Sequence, residues 1–254
     1  MDLRGKVALI TGGAAGIGKA CVEELLKLGC KVSICDVNSS NGDTLAQELG
    51  QKFNKSVIFC PCDVTDYPQS EEAFQETTSA LGPIDIVVNN AGIMNDRFWE
   101  LEVDTNLNGV IRGTLLGMRF MGKDRGGKGG TIVNVGSNTS MRPYVSAPIY
   151  SATKHAVLGF TRSFGDPFHV EQTGVRVVAL CPGATSTGII SDIRKQLLHA
   201  SFEPAWQRDT ANSIYQKPDH VARALVTVLQ RAVSGSVWMV EGGQPPYEIN
   251  FANP

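Results

Sequence analysis

Tyr150 and Lys154 stand four residues apart in the stretch PIYSATKHAV (148–157), and Ser137 precedes Tyr150 by thirteen residues. Residues four apart share a face of a helix. A tyrosine hydroxyl titrates near a pKa of about 10 and is a poor base at neutrality. An ammonium about 4 Å away, at an effective dielectric of about 20, supplies roughly 4 kcal/mol. Bringing a phenol from a pKa of about 10 to about 7 takes a similar amount. A phenol tuned in this way can take the proton of an alcohol as hydride leaves the same carbon, with Ser137 holding the substrate oxygen. The bland alternative is a packed ring beside a solvated lysine, a pairing found on many helices. What lies upstream decides between them.

Hydride needs an acceptor, and TGGAAGIGKA (11–20) offers its cradle. Gly12, Gly16, Ile17 and Gly18 fall between an apolar run and a helix-like segment. Glycines there let the backbone turn sharply and approach a pyrophosphate, which the helix N-terminus then receives. Asp36 lies eighteen residues beyond Gly18, where a carboxylate can bond ribose hydroxyls, the alternative being a strand-end Asp that caps the next helix. Val37 follows it, and DVNSSNGD (36–43) holds no Arg or Lys for a 2′-phosphate. The expected cofactor is NAD. Asp63, followed by Val64 in CPCDVTD, either faces the adenine edge or caps its loop.

Seven short β-branched runs position these residues: 6–12, 31–35, 56–60, 84–89, 130–137, 175–181 and 236–240. Most are apolar on both faces, as buried parallel strands are. Helix-like segments alternate with them near 16–29, 40–52, 68–81, 99–122, 150–170 and 218–232. This alternation predicts an α/β fold: one doubly wound domain over 1–254, with a seven-stranded parallel sheet and helices on both faces. Pro167 should kink or end the helix at 150–170. Ligands in such sheets bind beyond the carboxyl ends of the strands. Asn90, Ala91, Gly92 and Ser137 therefore share a rim. The stretch 183–217 is long for a connection and should carry short helices or act as a substrate lid. Met94, Ala147, Ile189, Ile190, Ile193, Leu197, Phe202 and Trp206 are candidates to line an apolar pocket beneath it. The 189–206 residues read equally well as a short amphipathic helix packed on the core.

The formal net charge of −2 gives no attraction to nucleic acid or anionic membrane. No apolar run reaches spanning length, and the N-terminus lacks a signal-peptide pattern. The six cysteines form no C-x-x-C pair and lie mostly in apolar runs, which suits buried thiols in a reducing compartment. The sequons at Asn38, Asn54 and Asn138 are read as chance. The expected location is cytoplasmic.

Taken together, Thr11-Gly12-x-x-x-Gly16-Ile17-Gly18, Asp63-Val64, Asn89-Asn90-Ala91-Gly92, Asn106 in TNLNG, Ser137, Tyr150-x-x-x-Lys154, and Pro182-Gly183 with Thr187 resemble the short-chain dehydrogenase/reductase family in its single-domain Rossmann form. The middle of the chain is most similar to its NAD-dependent 15-hydroxyprostaglandin dehydrogenases and insect alcohol dehydrogenases. The resemblance implies a homodimer that oxidises a secondary alcohol with NAD. It implies Tyr150 as base, Ser137 as substrate positioner, and Lys154 on the nicotinamide ribose. Asn106 would support a water in a proton relay, and Thr187 would contact the carboxamide. The prostaglandin enzymes carry glutamine where this chain has Ala147, which counts against a prostaglandin. The expected substrate is a small hydrophobic alcohol or ketone; the alternatives are a carbonyl reductase working in the reverse direction and a non-catalytic NAD-binding protein that acts through partners.

Overall fold

Neighbouring residues of one strand feed two different cores, and this builds the layers. In β1 (Val7–Thr11) every residue is buried. Ala8 and Ile10 join one apolar cluster with Leu25, Leu225 and Leu229. Val7 and Leu9 join another with Phe74, Leu116 and Met121. Side chains alternate along a strand, so a strand apolar throughout must be covered on both faces. The structure is a computed structural model describing residues 2–251.

The remaining strands are β2 (Lys31–Asp36), β3 (Val57–Pro61), β4 (Ile86–Asn89), β5 (Gly130–Val135), β6 (Val175–Pro182), β7 (Val237–Val240) and β8 (Tyr247–Glu248). Their order is β3-β2-β1-β4-β5-β6-β7-β8. Strands β1 to β7 run parallel, as the sequence predicts. The predicted count of seven is corrected to eight, because β8 pairs antiparallel with β7. It is two exposed residues long, too short to leave a periodic signal.

Helices α1 (Gly16–Lys27), α2 (Ser39–Lys52) and α3 (Tyr67–Leu81) follow the first three strands. The predicted helix at 99–122 is divided. It comprises α4 (Trp99–Val103), a π-helical turn (Asp104–Asn108) and α5 (Gly109–Met121). The predicted helix at 150–170 ends as Pro167 requires. Helix α6 (Pro148–Phe164) stops, and α7 (Pro167–Thr173) restarts with the Asp166 side chain accepting the Phe168 N–H at 2.9 Å. Segment 183–217 carries α8 (Ile193–Gln196), a 3₁₀ turn (Ala200–Phe202) and α9 (Glu203–Thr210) before α10 (Pro218–Arg231). A bridge between Thr185 and Gln216 closes its base.

A buried amide ladder ties α5 and α6 to the sheet. Asn89 Nδ2 donates to Asn134 Oδ1 at 2.8 Å, and Asn134 Nδ2 donates to Thr161 Oγ1 at 2.9 Å. Thr114 Oγ1 also donates to Asn134 Oδ1, at 3.3 Å. Gly113 makes room, since a Cβ there would stand 2.0 Å from Asn89 Oδ1. Buried amides left unpaired are costly. Asn134→Ala should therefore lower unfolding stability by about 3 kcal/mol, measured by urea denaturation.

Candidate active site

One cavity of ≈ 600 Å³ runs along the carboxyl ends of the strands. Asp36, Val37, Asp63 and Val64 stand at one end, and Tyr144, Trp206 and Tyr215 also line it. At the glycine turn the backbone leaves no room for side chains. Gly12 and Gly16 have φ of 64° and 52°. A Cβ on Gly18 would meet the Gly12 carbonyl oxygen at 2.0 Å. Helix α1 then begins at Ala15 without a side-chain cap and with no acid in its first turn. Its free N–H groups and positive dipole end suit a phosphate.

Asp36 holds this turn from the next strand. Its Oδ2 accepts the Ala14 N–H and its Oδ1 the Asn38 N–H, both at 3.0 Å. Asp63 caps its loop, its Oδ1 accepting from Thr65 N–H and Oγ1–H at 2.9 and 2.7 Å, and it also lines the cavity. Asn90, Ala91, Gly92, Pro182, Gly183 and Thr187 also line the cavity. Thr187 approaches the glycine turn, its Cγ2 lying 3.3 Å from where a Gly16 Cβ would be.

Ser137, at the end of β5, reaches the same cavity as Tyr150 and Lys154 in the first turns of α6. Ser137 Oγ donates to Asn138 Oδ1 at 3.1 Å and accepts the Thr139 N–H at 3.2 Å. Burial pushes the Tyr150 phenol up to about 12, against the lowering effect of Ser137. Lys154 is 4% exposed, and burial pushes it down to about 8. Its Nζ donates to the Val135 carbonyl at 3.0 Å and lies 5.7 Å from the Tyr150 ring centre. The sequence estimate assumed an ammonium about 4 Å from the phenol. In the structure Lys154 Nζ is bonded to the end of β5, and burial is the leading influence on the phenol.

Asn106 sits behind the wall in the π turn. Its Oδ1 accepts the Ile93 N–H, and its Nδ2 donates to the Ile93 carbonyl, both at 2.8 Å. Its Nδ2 also reaches Thr153 Oγ1 at 3.3 Å. The amide thereby pins the chain leaving β4, and π turns mark such tertiary demands on a helix.

Met94, Ile189, Ile190 and Trp206 line the cavity as expected, whereas Ile193, Leu197 and Phe202 are not among its lining residues. Ala147 is a further correction: it is fully buried at the N-cap of α6 and does not line the cavity. Tyr144 takes part in that wall instead, its ring 6.1 Å from that of Trp206 in an edge-on pair. Leu101 and Thr105 also line the cavity and were missed. A helical reading that ran straight through 99–122 gave no reason to turn them toward it.

The family model described as short chain dehydrogenase matches residues 6–198. The chain is 42% identical over 197 residues to 15-hydroxyprostaglandin dehydrogenase (NAD+) of Macaca fascicularis, covering 77% of this chain and 74% of that one. It is 33% identical over 245 residues to alcohol dehydrogenase 2 of Ceratitis rosa, covering 96% and 94%. Among solved structures, 3-ketoacyl-(acyl-carrier-protein) reductase from Brucella melitensis, complexed with NADH, superposes with a TM-score of 0.79. It shares 28% identity and the match covers 95% of this chain and 98% of that one. The family match begins at β1, runs through β6 and enters the segment over the site, and on that basis the chain belongs to the short chain dehydrogenase family.

Proposed function

We propose that this protein is an NAD-dependent oxidoreductase that interconverts a hydrophobic secondary alcohol and its ketone. The observation that carries this reading is the meeting of Ser137, Tyr150 and Lys154 in the cavity that also holds the uncapped N-terminus of α1. The relatives point the same way, one an NAD+ dehydrogenase and another an alcohol dehydrogenase by name.

The residues fit a dinucleotide. Gly12, Gly16, Ile17 and Gly18 would receive its pyrophosphate, and Asp36 with Val37 the adenosine ribose. Asp63, Val64, Asn90, Ala91 and Gly92 would flank the adenine and the path to the nicotinamide. Pro182, Gly183 and Thr187 would close over the nicotinamide end. Bound in its oxidised form, the dinucleotide supplies the hydride acceptor and a positive charge. Ser137 orients the substrate oxygen, and Tyr150 takes its proton. Lys154 holds the ribose and, as an ammonium, favours the phenolate. Asn106 keeps the strand end beside them in place, consistent with a proton path behind Lys154.

The charged residues lining the cavity are Asp36, Asp63 and Lys154, all assigned to the dinucleotide. Met94, Ile190, Tyr144 and Trp206 then face an uncharged, apolar substrate. A substrate carboxylate, such as a prostaglandin carries, finds no cation among these lining residues. The carbonyl-reducing direction is a second reading with its own support. A phenol held at about 12 is fully protonated at neutral pH and is ready to donate. Exposed Phe98, Trp99 and Leu115 on the α4–α5 side favour a homodimer.

Tyr150→Phe should lower turnover of hydrophobic secondary alcohols by about 10³-fold while NADH binding persists, measured by NADH absorbance and fluorescence. An active mutant refutes the mechanism. Asp36→Ala should weaken NADH binding about tenfold and narrow the preference over NADPH, read by titrating both. Tighter NADPH binding by the unmodified protein overturns the cofactor assignment. Burial of Lys154 destabilises the fold fully below about pH 8, and the penalty fades as pH rises to the ordinary lysine value of 10.5. Lys154→Met should therefore gain up to about 3 kcal/mol at pH 7, and less at pH 10, in denaturant unfolding.

A further inference from the structure

Two buried acidic residues, Asp96 and Glu102, have no place in the mechanism above. Helix α6 starts at Ala147, which offers no side-chain cap. Asp96, from the 3₁₀ turn after β4 (Asp96–Phe98), caps it from outside. Its Oδ2 accepts the Ile149 N–H at 2.8 Å and its Oδ1 accepts the Tyr150 N–H at 3.0 Å. Asp96 is 1% exposed. With both oxygens accepting from the helix N-terminus, it is suited to carry a negative charge.

Glu102, on α4, is 0% exposed and lies within side-chain hydrogen-bond reach of Asp96. Its Oε1 accepts the Asn95 N–H at 2.7 Å. Its Oε2 is buried without a donor. The charged and titratable groups facing it are Asp96 from the turn, and Lys154 and Tyr150 from α6. None of these donates a hydrogen bond to Oε2. Two buried carboxylates in contact repel each other, whereas one proton between them makes the contact attractive.

We propose that Glu102 is a positioning residue that stays protonated at neutral pH and donates its Oε2 proton to Asp96, so that the pair holds a single negative charge against the first turn of the Tyr150 helix. The proton firms the cap that sets where Tyr150 stands. It also keeps a second anion away from the phenol, whose ionisation a charged Glu102 opposes. Burial, opposed by the Asn95 N–H and reinforced by Asp96, pushes Glu102 up to about 8. The link to the phenol rests on the role proposed for Tyr150; the shared proton itself does not.

The test begins with the unmodified chain, carrying glutamate labelled with ¹³C at the side-chain carboxyl. Infrared spectra should show one protonated glutamate at pH 7 that ionises near pH 8. The signal should be absent from Glu102→Gln, and its titration should move to lower pH in Asp96→Asn. No protonated glutamate at pH 7, or an unmoved titration in Asp96→Asn, overturns the pair. Melting temperature gives a second reading independent of turnover. A group raised in the folded state stabilises it at low pH, and that gain is lost as pH climbs through the folded value. Wild type should lose stability relative to Glu102→Gln between pH 4.5 and about 8. Equal slopes overturn the proposal. In alcohol oxidation, Glu102→Gln should move the pH midpoint of kcat down by roughly half a unit to one unit with KM little changed. An unmoved midpoint removes the link to Tyr150. Absence of turnover in wild type would count against the proposed function and leave the infrared and melting results to decide the pair.

Discussion

Asn90 holds together the crevice on which the rest of the site depends. Strand order reverses between β1 and β4, and a cleft opens where neighbouring connections leave to opposite faces. Asn90 Nδ2 crosses that gap to the carbonyls of Thr11 and Gly12 at 2.9 and 3.1 Å. Thr11 Oγ1 returns the contact by accepting the N–H groups of Asn90 and Ala91 at 3.0 and 3.1 Å. The lacing is tight enough that a Cβ on Gly12 would stand 2.9 Å from the Ala91 Cα. Glycine is thus required twice at Gly12, by its positive φ and by the approach of β4. With the two strand ends fixed, the start of α1 and the chain leading to Met94 keep a constant separation.

Beyond the crevice, the reacting centre is expensive to bury. A lysine without an ion pair, a phenol pushed up by desolvation and a buried glutamate, Glu102, lie along α4 and α6. A fold selected for stability alone would place apolar side chains there. The cost is borne by hydrophobic clusters on both faces of the sheet and by the Asn89–Asn134–Thr161 ladder, which holds α6 against β5. Polar groups concentrated at one rim of an otherwise apolar sheet are what a preorganised site requires.

Fold class was legible because β1 to β7 are apolar on both faces and alternate with helical segments, a pattern that local sequence carries directly. The glycine turn was legible for a similar reason: backbone geometry restricts residue type there more strongly than packing does. Other features depend on tertiary partners and left no local trace. The π turn exists because Asn106 must reach Ile93, thirteen residues earlier in the chain. Glu102 reads as one more polar residue on a helix until Asp96 and α6 fold over it. Ala147 was assigned to the pocket by its distance from Tyr150, but the chain before Pro148 turns its methyl inward and Tyr144 toward the cavity.

Segment 183–217 is tied both to the chain after β4 and to the loop that precedes α6. Gln196 organises its first half: Nε2 donates to the carbonyls of Met94 and Ile189, both at 2.7 Å, while Oε1 accepts from Ser191 and Asp192. Ile189 and Ile190 are thereby set at a fixed distance from Met94. The second half is tied elsewhere. Asp209 on α9 accepts from both the N–H and the hydroxyl of Ser146, at 2.9 and 2.7 Å, just ahead of α6. Trp206, one turn earlier on α9, meets Tyr144 on the same loop. A shift of α9 therefore moves the aromatic wall and pulls on the chain that leads to Tyr150. The contacts of α9 with Ser146 and Tyr144 thus join the aromatic wall of the cavity to the start of the helix that carries Tyr150.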